Sequence, residues 1–103
     1  MTDKVLSMIG LATRARKIAA GEFSVEKAVK SGRAFLVIIA ADASDNTKKM
    51  FNNMCAFYEV PLATYGAKET LGHATGKEVR ASLAILDQSF ADAIWKLVNQ
   101  QPA

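Results

Sequence analysis

The sequence predicts an α/β protein, a three-layer α/β/α sandwich whose central mixed sheet has about four strands. Three observations lead there. Apolar residues recur at the i, i+3, i+4 spacing of amphipathic helices in several separate stretches. Between two of these, residues 34–41 form an unbroken apolar run, Ala-Phe-Leu-Val-Ile-Ile-Ala-Ala. A strand without alternation is buried on both faces and needs helices on each side. Helical and extended stretches also alternate along the whole chain, with no internal repeat, low-complexity tract or linker, so residues 1–103 read as one domain.

Taken in order, residues 3–14 form a helix with Val5, Leu6, Met8, Ile9, Leu11 and Ala12 on a wide apolar face and Thr2 or Asp3 as N-cap. Gly10 inside it implies close packing against a neighbour. Its end carries the basic cluster Arg14, Arg16 and Lys17, more positive charge than a helix dipole alone explains. Residues 17–20 read as a short extended run and Gly21 as a hinge. A second helix follows, with Val25, Ala28 and Val29 buried, Glu26, Lys27 and Lys30 on the wet face, and Gly32 at its close.

After the central strand, Asp42, Ser44, Asp45 and Asn46 supply capping side chains for a helix from about 45 to 58, with Phe51, Met54, Cys55 and Tyr58 inward. Residues 60–65 give a short strand with Pro61 at its start or on an edge. Gly66 to Leu71 allows one or two helical turns stopped by Gly72. A loop over 73–80 then leads into a last buried strand over 81–86. Ser89-Phe90-Ala91-Asp92 has the spacing of a capping box and opens a final helix with Phe90, Ile94, Leu97 and Val98 inward and Trp95 on the core border. Residues 100–103 are expected to fray.

Composition narrows the function classes. A chain of 103 residues, half of them apolar, can bury one ordinary core. A lone cysteine, Cys55, permits no internal disulfide and no redox pair, which fits a reducing, cytoplasmic setting. The apolar run near the N-terminus is interrupted by Ser7, Gly10 and Thr13 and is too short for a signal peptide or a membrane span. The net charge of +3 is uneven: residues 1–33 hold seven basic and three acidic side chains, the remainder six and seven. An anionic partner is therefore steered to the first third of the chain.

Enzyme chemistry finds no constellation. One histidine, His73, excludes a His-rich metal site, and with Cys55 it lacks the spacing of a zinc or thiol-catalytic arrangement. Gly72 to Glu78 approaches a phosphate-binding loop, but has three residues between its glycines and an acid where a Mg²⁺-binding hydroxyl belongs. Asp42, at the end of the central strand, lacks a partner base or nucleophile nearby and reads as a cap or turn residue. No cofactor is implied. What remains is surface: the positive helix start after Gly21 and the loop 72–80, which side by side could hold an RNA backbone through Lys27, Lys77 and Arg80.

Gly21 with Lys27 and the helix to Gly32, the run Leu36 to Asp42, the Val60-Pro61 strand start, Leu71 to Gly76, and Leu83-Ala84-Ile85 together resemble the ribosomal protein L7Ae family, which includes the L30e proteins and the kink-turn RNA binders. Leu11 to Lys17 and Gly21-Glu22 are most similar to its small bacterial YlxQ-type members. The resemblance implies an α/β/α sandwich that grips a sharply bent RNA between the start of the second helix and the loop before the last strand. Carried over, the contact positions are Gly21, Glu22, Phe23, Ser24 and Lys27 on the helix, with Lys77, Glu78 and Val79 on the loop. Arg80 joins them from the charge argument. Phe23-Ser24 stands where archaeal members have the base-reading pair Asn-Glu, so shape and backbone recognition is the implied mode. Ala19-Ala20 replaces a basic pair, for which Arg14, Arg16 and Lys17 are expected to compensate.

The resulting expectation is a non-enzymatic, monomeric, cytoplasmic protein that binds structured RNA, ribosomal or kink-turn, in association with the ribosome and no membrane. The alternative is a protein-interaction module of the same fold that has lost specific RNA binding.

Overall fold

The computed structural model describes residues 3–100. Nine elements follow one another as α1 (Lys4–Arg14), β1 (Ile18–Ala20), α2 (Glu22–Lys30), β2 (Leu36–Ile39), α3 (Asp45–Tyr58), β3 (Leu62–Thr64), α4 (Lys68–Ala74), β4 (Ser82–Ile85) and α5 (Gln88–Asn99). The strands form one mixed sheet in the order β1-β4-β2-β3, with β2 and β3 parallel and the other two pairs antiparallel. Helices α1, α4 and α5 pack together, and α2 packs with α3, giving the three layers expected.

Burial explains the layering. All four residues of β2 and all four of β4 are buried, as a strand covered on both faces requires. Val5 and Ile9 of α1, Val25 and Val29 of α2, Phe51 of α3, Leu71 of α4 and Ile94 of α5 close the two sides of one core. Pro61 precedes the edge strand β3, where its carbonyl accepts from the Val37 N–H and its missing donor costs no ladder bond.

Caps define most helix starts. The Leu6 N–H donates to Asp3 Oδ1 at 3.0 Å, so Asp3 caps α1, and Thr2 lies outside the described residues, as do residues 101–103. Ser44 caps α3 through the Thr47 N–H at 3.1 Å. Asp42 Oδ1 accepts from the Lys68 N–H at 2.8 Å and so ties the end of β2 to the start of α4, a capping role across the fold.

Three expectations give way to the structure. Gly72 does not stop a helix; α4 runs through it to Ala74, because residues 77–79 fold back against the helix and leave no room for a side chain there. The last helix starts earlier than Ser89. Asp87 is its N-cap, accepting from the Phe90 N–H at 3.0 Å, in the extended conformation inherited from the end of β4. Tyr58 is not inward but 41% exposed, stacked edge-on against the exposed Phe57 where α3 runs out.

Helix ends are equally regular. In α1, α2 and α4 the last turn is closed by paired bonds, Lys17 to Ala12 and Arg16 to Thr13, Arg33 to Ala28 and Gly32 to Val29, Lys77 to Gly72 and Gly76 to His73, each an N–H donating to a carbonyl. This is the Schellman arrangement, and its left-handed residue is Arg16, Gly32 and Gly76 in turn. Strand directions then sort the surface into two ends. Gly21, Asp42 and Arg80 gather at one end of the sheet; Lys17, Phe35 and Leu86 gather at the other.

Candidate nucleic-acid interface

The first end is built around Gly21. Its N–H donates to the Ser82 carbonyl at 3.0 Å, continuing the pairing of β1 with β4 by one residue before the chain turns into α2. The turn uses φ 96° and ψ 154°, a combination open to glycine and strained for any residue with a side chain. No side chain caps α2, so the N–H groups of its first turn stay available at the positive end of the dipole.

Residue 80 arrives from the other side. The Arg80 N–H donates to the Lys68 carbonyl, which pins the loop to α4, and the guanidinium folds back so that Nη1 donates to the Val79 carbonyl at 2.7 Å. Its Nε is buried without a hydrogen-bond partner among the described residues, and a β-carbon on residue 21 would stand only 3.6 Å from it. A cationic donor buried beside an uncapped helix start suits an anionic or carbonyl acceptor. Gly21, Glu22, Phe23, Ser24, Val79 and Arg80, with the small residues Ala20 and Ala81, line a groove of about 360 Å³.

The remaining expected contacts divide by position. Lys77 and Glu78 lie across Arg80 from this groove, in an adjoining cleft of about 660 Å³ that His73, Gly76 and Arg80 also line. Lys27 is exposed one helical turn beyond Phe23 and Ser24, on their side of α2. Phe23 is 81% exposed and therefore does not cover the core. Arg14, Arg16 and Lys17 do not join this surface. Arg14 ends α1 and Arg16 and Lys17 follow it at the opposite end of the sheet, where Lys17 lies beside Leu86, roughly 13 Å of extended strand away from Gly21.

Sequence reading noted Ala20 only as a missing cation and did not single out Ala81; the signal for both as groove residues is their small size beside the two recognition segments. The Gly72 to Gly76 spacing has a structural cause: the Gly76 and Lys77 N–H groups are spent on α4 carbonyls and cannot cradle phosphate. Among the described residues no cluster of three or more His, Cys, Asp or Glu could hold a metal ion. No described helix is long and apolar enough to cross a membrane. His73 is exposed on α4 rather than in a loop.

Comparison with known proteins gives the family and the fold. Residues 3–94 match the model of the ribosomal protein L7Ae/L30e/S12e/Gadd45 family. The chain is 40% identical over 92 residues to the RNA-binding protein YlxQ of Bacillus subtilis strain 168, covering 89% of this chain and 92% of that one. It is 34% identical over 97 residues to the RNA-binding protein YlxQ of Enterococcus faecium, covering 94% and 93%. A Bacillus halodurans structure of unknown function superposes with a TM-score of 0.93 at 37% identity, over 96% of this chain and all of that one. The 15.5kD RNA binding protein of Giardia lamblia shares the fold with a TM-score of 0.78 at 24% identity, over 97% and 89%.

Proposed function

Because the chain belongs to the ribosomal protein L7Ae/L30e/S12e/Gadd45 family, we propose that it is a non-enzymatic RNA-binding protein that holds a bent or kinked RNA, ribosomal or kink-turn, in the groove between Gly21 and Arg80. The observation that carries the reading is the buried, unpartnered Arg80 Nε beside the open backbone of Gly21. Arg80 supplies charge and a fixed donor, and the first N–H groups of α2 approach phosphate or base edges. Lys27 and Lys77 flank the groove on either side as phosphate contacts. Phe23 offers a face for an unstacked base, the kind that a sharp bend exposes. Glu22, Ser24 and Val79 shape the walls of the groove, and Glu78 stands in the adjoining cleft beyond Arg80. Cytoplasmic residence and a monomeric state accompany this reading.

Titrating a kink-turn RNA and a straight duplex of equal length tests it. We expect the bent RNA to bind tighter, and Arg80→Ala to remove most of that preference. Equal affinity for the two RNAs sinks the reading. A protein-interaction module is the second reading, favoured by the exposed apolar pair Phe23 and Val79 at the groove mouth; it predicts no RNA preference at all.

A further inference from the structure

At the far end of the sheet, Arg16, Lys17, Gly32, Arg33, Phe35 and Leu86 surround a second cleft of about 390 Å³. The two turns that build it are twins. Arg16-Lys17 closes α1 as Gly32-Arg33 closes α2, each basic residue following a left-handed one, and the register of β1, β4 and β2 sets Lys17, Leu86 and Phe35 side by side.

The side chains there are unspent. Arg16, Lys17 and Arg33 make no side-chain hydrogen bond or ion pair among the described residues, where Lys30 with Glu26 is the one salt bridge. The nearby Asp87 carboxylate is occupied as the cap of α5. Two helix ends here place three cations around a single cleft. Arg16 holds φ 61°, the left-handed position that Gly32 fills in the twin turn and Glu59 at the end of α3. Phe35 is 39% exposed within the cleft, and α3 ends on this side with Phe57 and Tyr58 exposed beyond it.

Cations interleaved with exposed aromatic faces hold unpaired nucleotides, the cations tracking phosphates and the rings stacking bases. We propose that this end is a second site, for an unpaired RNA segment, with Arg16, Lys17 and Arg33 on its phosphates and Phe35 under a base. It stands independently of the groove at Gly21. The cleft lacks the broad apolar face that a lipid surface would bury, and its fork-shaped arginines match phosphate geometry.

The test titrates the intact chain with a labelled, unstructured oligouridylate by fluorescence anisotropy. We expect the Arg16→Gly, Arg33→Ala double variant to lose about tenfold or more in affinity at moderate salt, with a salt dependence flatter by about 1.4, the slope of two contacts to a single strand. The double variant leaves the preference for bent over straight RNA intact, and Arg80→Ala weakens the oligouridylate less than the double variant does. Circular dichroism checks the fold, which Arg16→Gly should not weaken, and Phe35→Leu lowers the affinity while sparing the salt slope. The proposal is overturned if the oligouridylate does not bind at low salt, or if Arg80→Ala abolishes its binding while the double variant does not. It is equally overturned if the double variant loses only binding to phosphatidylglycerol vesicles.

Discussion

Arg80 lays its guanidinium against the bare backbone of Gly21, so closely that a β-carbon there would be in van der Waals contact with Nε at 3.6 Å and Cδ at 3.7 Å. The contact alone would tolerate an alanine. The backbone would not, because φ 96° with ψ 154° lies in a region held almost only by glycine. We therefore predict that Gly21→Ala costs roughly 1–3 kcal/mol through strain. Urea denaturation checks it: the midpoint should fall with little change in slope. An unshifted midpoint means that the turn relaxes into another conformation.

Phe23 separates binding from folding. At 81% exposure it contributes little to the core, so Phe23→Ala should change stability by no more than about 0.5 kcal/mol. If a base stacks on it, the same substitution weakens bent-RNA binding by roughly 1–3 kcal/mol. Parallel melting and titration of one variant decide the matter, and unchanged affinity removes Phe23 from the interface.

The order of elements was legible because each carries its own local signal: the stripe of Val25, Ala28 and Val29, the unbroken run through Ile38 and Ile39, the caps at Asp3 and Ser44. The two jaws at Gly21 and Arg80 were legible as segments, and sheet register then brought them together. What sequence could not show is which end of the sheet each segment reaches. Arg16 and Gly21 are five positions apart, yet β1 lies between them and carries them to opposite ends, while Arg33, seventeen positions from Arg16, joins its cleft. Gly72 misled for a related reason. Its lack of a side chain reads locally as a helix breaker, but the cause is the loop that returns over it.

That loop gives the third prediction. A β-carbon on Gly72 would stand 2.6 Å from the Glu78 carbonyl oxygen and 2.7 Å from the Val79 nitrogen, both backbone atoms. Alanine normally strengthens a helix interior by up to about 1 kcal/mol relative to glycine. Here we expect a net loss of about 1–3 kcal/mol, as for other overpacked sites, together with weaker RNA binding because residues 78–80 must move. Gly76→Ala is the control: nothing lies within 4 Å of its added carbon, and only its left-handed φ of 74° is penalised, about 1–2 kcal/mol, with Arg80 left in place. Equal effects on RNA affinity would falsify the packing account.

Cys55 gives a prediction about reactivity. Burial on the inner side of α3 pushes its thiol up to about 11, which keeps it protonated and shielded near neutral pH. Alkylation by iodoacetamide at pH 7.5 should be slow for the folded chain and at least tenfold faster in denaturing urea. Equal rates would show that α3 opens readily from the core.

The alkaline limb of stability belongs in part to Tyr65. Its hydroxyl donates to Asp3 Oδ2 at 2.6 Å, joining the residue after β3 to the cap of α1. Burial, then that hydrogen bond and the negative charge of Asp3, raise its pKa from 10.0 to about 12. The folded state therefore holds the phenol proton more tightly than the unfolded one. By linkage this contribution is complete below about pH 10 and is lost as pH rises through about 12. Cys55 titrates over part of the same range, so the informative quantity is a difference between variants. Tyr65→Phe should be less stable than the native chain at pH 8, and the gap should close progressively between about pH 10 and 12 in thermal melts. A gap that stays constant across that window would mean that the ring's packing matters and its hydrogen bond to Asp3 does not.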